Sequence, residues 1–160
     1  MSQISMTEQP NHHQIDLTQL DLEQLTELKH QLDRELAVFQ DSLHSLKIAQ
    51  SKFQESNESL DKLTPDAAGK EILVPLTGSM YVPGKLADTE KVLIDIGTGY
   101  YAEVTIPHAK EYFKRRIAYV TEQMEKIQVI GQEKNKIREA ISDVIGMKLK
   151  SLQNEVVEQS

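Results

Sequence analysis

The first part of the chain repeats apolar residues at the spacing of a coiled coil. Leu28, Leu36, Leu43 and Ala49 fill the positions between members of a strict seven-residue series. That series is Leu25, Leu32, Phe39, Leu46, Phe53 and Leu60. No Gly or Pro interrupts the pattern before Thr64-Pro65, so it predicts one helix of about 43 residues, roughly 65 Å long. A helix of that length cannot be buried inside an ordinary small globule.

A helix-start signature stands in front of this repeat. Asp21 can cap the helix, Gln24 is placed as its capping-box partner, and Leu20 and Leu25 have the spacing of a hydrophobic staple. Residues 1–14 are too polar to bury a face, so we expect a disordered lead-in there.

The middle of the chain changes to short runs of β-forming residues. Four strands are expected, near residues 72–76, 80–82, 91–96 and 100–104. Turn residues separate them at Thr77-Gly78-Ser79, from Pro83-Gly84 to 88–90, and at Gly97-Thr98-Gly99, which predicts two hairpins. A lone four-stranded sheet with so few aromatic residues would have open edges and little core, so we expect it to be completed by other chains.

A second helical pattern follows Pro107, a residue suited to the first turn of a helix. It runs for about 50 residues with apolar side chains three or four apart. Its members are Phe113, Ile117, Val120, Met124, Ile127, Ile130, Ile137, Ile141, Val144 or Ile145, Leu149, Leu152 and Val156.

The two helical patterns match in length, which favours an antiparallel pair. Facing residues should then have numbers that sum to about 170, which sets Phe39 against Gly131 as a large residue packed on a small one. The sequence predicts an α+β fold, a long antiparallel coiled-coil hairpin with two β-hairpins between its helices. Its regions are the lead-in at 1–14, helix one at 15–64, a β-hairpin assembly region at 65–106 and helix two at 107–158.

Composition narrows the classes of function. The chain has 160 residues and a formal net charge of −7, the wrong sign for a nucleic-acid surface. It has no cysteine, which excludes disulfides and thiolate chemistry. No apolar run is long enough for a membrane span, and the start does not have the pattern of a signal peptide. We therefore expect a soluble intracellular protein with no nucleic-acid or membrane partner.

No motif indicates an enzyme, a cofactor or a metal. The segment Asp95-Ile96-Gly97-Thr98-Gly99 has neither the Lys-Ser/Thr of a phosphate loop nor the second Asp of an aspartic protease, so a tight turn is the better interpretation. His30, His44 and His108 stand far apart in the sequence, which argues against a three-ligand metal site. We expect no catalytic residues, no metal and no cofactor.

The strand sequences resemble those of a known family. The segments Leu73 to Lys85 and Val92 to Tyr101, which contain Ser-Met-Tyr-Val-Pro-Gly-Lys and Asp-Ile-Gly-Thr-Gly-Tyr-Tyr, resemble the α class of prefoldin subunits. The order of helix, two hairpins and helix is similar as well. The resemblance extends over nearly all of 15–157 and is far more specific in the strands than in the heptads.

The resemblance implies a function without catalysis. It implies a heterohexamer of two α-class and four β-class subunits, whose hairpins form a body from which six coiled coils project. It also implies capture of unfolded or nascent proteins, chiefly actin and tubulin, and their delivery to the cytosolic chaperonin without nucleotide. The partners are then the second α-class type, the β-class chains, those clients and the chaperonin. The location is cytoplasmic, with a nuclear pool left open.

Chain direction places the candidate client-binding residues at the free ends of the coil. Helix one runs into the hairpins and helix two leaves them, so the coil tips consist of residues 15–30 and 140–158. The apolar residues there outnumber what one seam needs, and we expect the surplus to bind clients, with closure of the coil end as the alternative. The candidates are Leu17, Leu20, Leu22, Leu25, Leu28, Ile141, Ile145, Met147, Leu149, Leu152, Val156 and Val157, of which Leu22, Met147 and Val157 are expected to be partly exposed.

The hairpins carry the second set of candidates, and the family resemblance gives them a role in pairing strands between subunits. An intrachain core is the alternative, but so many apolar residues on a solitary sheet would leave a large exposed patch. The candidates are Val74, Met80, Val82, Leu93, Ile94, Tyr100 and Tyr101.

A different class of function, a structural coiled-coil scaffold or tether, could use the same helices. A scaffold would have no need of two hairpins between its helices, so the predicted hairpins favour the chaperone subunit.

Overall fold

The computed structural model describes residues 16–158, with side chains described up to 157. The expected lead-in at 1–14 lies outside these residues. Helix α1 spans Leu22–Asp61 and helix α2 spans Ile106–Glu158. Between them are the strands β1 (Glu71–Pro75), β2 (Tyr81–Lys85), β3 (Lys91–Gly97) and β4 (Tyr100–Thr105). The predicted architecture of two long helices with two β-hairpins between them is confirmed.

The start of α1 is fixed by the predicted capping box. The Asp21 carboxylate accepts a hydrogen bond from the backbone N–H of Gln24 at 2.7 Å, and the Gln24 side chain accepts one from the N–H of Asp21 at 3.1 Å. Two N–H groups that the helix itself leaves without partners are satisfied in this way. A short 3-10 helix, Leu17–Gln19, precedes the box and was not predicted.

The end of α1 comes three residues earlier than expected. The N–H groups of Lys62 and Leu63 bond to carbonyls only three residues back, so the last turn tightens before Thr64. A second short 3-10 helix, Pro65–Ala67, then leads into β1. At the other side of the hairpins, α2 begins at Ile106, which puts Pro107 in the first helical turn, where its missing N–H is not needed.

The chain forms two compact units, which we describe separately. Of the described residues, the first contains 16–37 and 132–158, and the second is Val38–Gly131. The long helices contribute to both units.

The predicted antiparallel register is confirmed inside each unit. In the first, Lys134 Nζ lies 2.6 Å from Glu35 Oε2, and Arg138 Nη1 lies 3.3 Å from Asp33 Oδ1. In the second, the Gln50 side chain donates a hydrogen bond to Thr121 Oγ1 at 2.7 Å, and other contacts join Lys110 to Asp61 and Phe53 to Phe113. All of these pairs fit the expected sum of about 170 to within one or two helical turns.

Two details of the predicted seam are wrong. Ile130 and Ile137 are exposed, because alternate steps of four and three from Val120 lead through Met124, Ile127 and Gly131 to Lys134 instead. The predicted packing of Phe39 on Gly131 is also absent, since a Cβ added at Gly131 would have open space around it. The seam therefore contains an under-filled position at this glycine.

The open space at Gly131 leads to a stability prediction. Gly131 lies inside α2, where Ala is favoured over Gly by about 1 kcal/mol, so Gly131→Ala should raise the free energy of unfolding by about that amount. The measurement is urea unfolding of the purified chain, followed by far-UV circular dichroism. Gly99→Ala is the matched control: the φ angle of Gly99 is +81°, so the same side chain should destabilise there. Shifts of the same sign in both variants would contradict the prediction.

The hairpins form two separate two-stranded sheets, β1 with β2 and β3 with β4, whereas one four-stranded sheet was considered. Pro83 and Gly84, expected in a turn, lie inside β2 opposite Leu73 and Ile72. A two-stranded ribbon accommodates Pro83 because half of its N–H groups point away from the partner strand. Gly84 suits its site because a Cβ there would lie 3.2 Å from a Val74 methyl group.

The turn between β3 and β4 is held by special backbone geometry. Thr98 and Gly99 have φ angles of +49° and +81°, and the Asp95 carboxylate accepts a hydrogen bond from the N–H of Gly97 at 2.9 Å. The register shifts between Asp95 and Gly97, which marks a bulge next to the turn. This segment is the tight turn that the sequence predicted.

The two units have separate cores. In the first, Leu25, Leu32, Ile141 and Val144 are buried together. In the second, Leu60, Ile94 and Ala109 are buried, with one face of β3 and β4 packed against them. No helix within 16–158 is long and apolar enough to cross a membrane.

Candidate functional site

Two of the twelve predicted tip residues form the core of the first unit. Leu25 and Ile141 are both 0% exposed, and Leu32 and Val144 complete the buried cluster. These side chains hold the helix ends together and cannot contact another molecule while the coil is closed. For Leu25 and Ile141 the structure therefore supports the alternative interpretation, closure of the coil end.

A second group of predicted tip residues surrounds this cluster and is half-buried. Its members pack against the buried side chains with part of their surface and leave the remainder accessible. They are Leu17, Leu20, Leu28 and Ile145. Leu22, at the start of α1, is half-buried as well, which agrees with the expected partial exposure.

The remaining five predicted tip residues are exposed and belong to the last part of α2. Met147 is 57% exposed, and the exposure of the others ranges from 45% to 75%. The others are Leu149, Leu152, Val156 and Val157. Leu149, Leu152 and Val156 continue the stripe of Ile145 at steps of four, three and four, so this end of α2 has an apolar face of its own.

A groove opens beside these side chains, and we call it the tip groove. Its volume is about 500 Å³. Apolar walls are formed by Leu22 from α1 and by three residues of α2, and four polar residues complete the lining. The α2 walls are Val144, Met147 and Leu152, and the polar residues are Thr18, Asp21, Lys148 and Ser151.

The polar residues of the tip groove were missed by the sequence analysis, because apolar periodicity carries no information about them. Only the fold of the segment before α1 brings Thr18 next to α2, where its carbonyl oxygen accepts a hydrogen bond from Lys148 Nζ at 3.0 Å. Asp16 caps the same segment: the Thr18 hydroxyl and N–H both donate to its carboxylate, and these hydrogen bonds lower the pKa of Asp16.

Charged pairs replace apolar contacts further along this unit. The half-buried pair Glu35 and Lys134 is joined by a hydrogen bond from the ammonium group, which is the main cause of a lowered pKa at Glu35. Gln31 donates a further hydrogen bond to the same carboxylate. Asp33 and Arg138 form a second pair nearby, so the seam is polar where the apolar cluster ends.

The first hairpin is uncovered on both faces. Every residue of β1 is exposed, including Leu73 at 68%, and in β2 only Gly84 is partly buried. The predicted assembly residues Val74, Met80 and Val82 are among the exposed ones. Leu73, Leu76 and Tyr81 are also exposed but were not predicted as assembly residues. Strand alternation puts Leu73 and Tyr81 on the opposite face of the ribbon from Val74 and Val82.

The second hairpin has one covered and one open face. Val92, Ala102 and Val104 pack towards the core of this unit, whereas the predicted assembly residues Leu93, Tyr100 and Tyr101 are exposed. Ile94 differs from the prediction: it is only 7% exposed and packs with Leu60 and Ala109. Ile94 is therefore an intrachain core residue, because it points to the opposite face from Leu93.

The described residues contain no group of three or more His, Asp or Glu side chains placed to hold a metal ion. The candidate surfaces are instead apolar and open. Exposed apolar patches of this kind commonly mark sites of contact with other polypeptides.

Comparison with known proteins agrees with this architecture. A family model described as "Prefoldin subunit" matches residues 32–151. Human prefoldin subunit 5 is 49% identical over 138 residues, which cover 86% of this chain and 90% of the relative. Prefoldin subunit 5 of Arabidopsis thaliana is 34% identical over 137 residues, covering 86% and 91%.

A solved structure gives the same fold independently. It is a chain of the filamentous PFD from Methanocaldococcus jannaschii, seen by cryo-EM, with a TM-score of 0.64 at 20% identity. The match covers 72% of this chain and 97% of that one. With the fold, the family model and these relatives in agreement, the chain belongs to the prefoldin subunit family.

Proposed function

We propose that this chain is one subunit of a heterohexameric prefoldin with two α-class and four β-class chains. As a prefoldin co-chaperone subunit it has other prefoldin subunits as partners. The exposed apolar faces of its hairpins support a role in joining those partners, because single two-stranded ribbons are marginal in water and are stabilised by further strands. We assign assembly to Val74, Met80, Val82, Leu93, Tyr100 and Tyr101, and leave out the buried Ile94.

We further propose that the tip captures unfolded or nascent proteins, actin and tubulin in particular, and delivers them to the cytosolic chaperonin. The observation that carries this proposal is the open apolar surface formed by the tip groove and the end of α2. A flexible surface of Leu, Met and Val suits partners that share exposed apolar segments but no common sequence. Binding of this kind needs no nucleotide and no catalysis, and we propose the cytoplasm as its location.

The test replaces apolar walls of the tip groove. Met147→Ser with Leu152→Ser, in the reconstituted complex, should weaken capture of actin diluted from denaturant about fivefold, because two exposed apolar side chains lose their contacts with the client. Capture is measured by suppression of light scattering as the actin aggregates. A subsequent transfer step to purified chaperonin, followed on native gels, tests delivery.

The matched control is Val129→Ser. Val129 is 56% exposed on α2, as Met147 is at 57%, but it does not line the tip groove. It should leave capture unchanged. Equal capture by the tip variant and the control would reject the tip as the client site, and native mass spectrometry of the same samples verifies that the hexamer is intact.

A further inference from the structure

We infer that the tip prefers client segments in which a bulky apolar side chain lies close in sequence to Lys or Arg. This inference rests on the proposed function and specifies the class of segment that is bound. It derives from the position of Leu22 between two open grooves and from the charges that border them.

Leu22 is a wall of both grooves. On one side is the tip groove, and on the other a second groove of about 530 Å³ runs along α1 and is lined by Leu22, Glu23, Thr26 and Glu27. We call it the α1 groove. The two grooves are therefore adjacent at Leu22, and a bound segment that fills one with an apolar side chain extends naturally into the other.

Carboxylates border the α1 groove, and two of them are accessible to a cation. Glu23 and Glu27 are one helical turn apart on α1, so they face the same side. Glu23 forms no ion pair within residues 16–158, and the pair between Glu27 and Arg34 is 3.4 Å long with both side chains largely exposed. An exposed pair of this kind exchanges readily for another cation.

The cation on the opposite side of the tip groove is less accessible to a ligand. Lys148 already donates to the carbonyl oxygen of Thr18 at 3.0 Å. Across the coil tips, 15–30 and 140–158, the sequence has seven carboxylates and only three ammonium groups, so the tip is net negative. The carboxylates are Asp16, Asp21, Glu23, Glu27, Asp143, Glu155 and Glu158, and the ammonium groups are Lys29, Lys148 and Lys150. Charge complementarity therefore favours a basic client segment over an acidic one.

The test uses three short fluorescent peptides and the reconstituted complex. All three have the same Leu and Phe residues, flanked by Lys in the first, by Gln in the second and by Glu in the third. We expect the Lys peptide to bind about fivefold more tightly than the Gln peptide at low salt, measured by fluorescence anisotropy. High salt should reduce this advantage, and the Glu peptide should bind most weakly.

Variants separate this inference from the proposed function. Glu23→Gln with Glu27→Gln should abolish the advantage of the Lys peptide and leave the affinity for the Gln peptide unchanged. Glu133→Gln with Glu139→Gln removes the same charge from α2 outside both grooves and should keep the advantage.

Two outcomes would overturn the inference in different ways. If all three peptides bind equally and Met147→Ser with Leu152→Ser weakens each of them, the tip binds clients but does not select for charge. If the Met147 and Leu152 variant weakens none of them, the proposed client site itself is wrong.

Discussion

Replacing Leu25 with Ala is expected to lower the free energy of unfolding by about 3 kcal/mol. Leu25 is fully buried against Leu32, Ile141 and Val144, so truncation removes apolar contacts and leaves a cavity that its neighbours can fill only in part. Domain stabilities are commonly about 5–15 kcal/mol, so a loss of this size is a large fraction of the total. Urea unfolding of the purified chain measures it.

Leu152→Ala provides the control for Leu25→Ala. The residue type is the same, but Leu152 is exposed at the end of α2, so its truncation should change stability by less than about 1 kcal/mol. Equal losses would mean that the buried cluster does not hold the tip together. The two variants also distinguish stability of the tip from client capture, because Leu152→Ala should weaken capture of a client without unfolding the chain.

Replacing Val74 with Asp is expected to prevent incorporation of the chain into the hexamer. Val74 is exposed on the uncovered β1–β2 ribbon, so a carboxylate there is well hydrated in the isolated chain. In an interface between subunits the same carboxylate would lose its water without gaining a partner, and a cost of several kcal/mol corresponds to a loss of more than about a hundredfold in affinity. Native mass spectrometry of a reconstitution with the other subunits measures incorporation.

Val129→Asp is the control for the assembly prediction. It introduces the same charge at an exposed valine of α2, outside the hairpins, and should enter the complex normally. The urea unfolding of Val74→Asp alone should match that of the unmodified chain. Normal incorporation of Val74→Asp would show that this ribbon does not contact another subunit.

The helices and their register could be predicted because the signal is local and repeated. A heptad series such as Leu25, Leu32 and Phe39 places an apolar residue on the same face of the helix at every second turn. The Asp21–Gln24 capping box marks the start of that helix. The error at Ile130 and Ile137 has a simple cause. Helix α2 has more apolar residues than it has positions in the seam. The seam there continues through Gly131 and Lys134, which hydrophobicity alone does not select.

The sheet arrangement could not be predicted to the same degree. Each hairpin is a local structure set by its turn, but whether β1–β2 joins β3–β4 depends on contacts between distant segments. Ile94 shows the consequence at the level of one residue. Its neighbour Leu93 is equally apolar but lies on the opposite face of the ribbon. Ile94 is buried because its face packs on Leu60 and Ala109, and Leu93 is exposed.

The tip was predicted as a region but not residue by residue. Leu22 and Leu25 are three positions apart and so point about 60° away from each other around the helix, which is enough to bury one and leave the other beside a groove. The polar lining of that groove depends on the fold of the segment before α1. No apolar pattern in the sequence contains that information.

The charged pairs in the seam also limit how the two helices can slide along each other. Heptad repeats allow a displacement by seven residues that still sets apolar residues against one another over part of the coil. Such a displacement would move Lys134 from Glu35 to the level of Leu28 and would break both of the charged pairs in the seam of the first unit. The Glu35–Lys134 and Asp33–Arg138 pairs thus discriminate against the slipped alignment, and they keep Leu22 opposite the part of α2 with which it forms the groove.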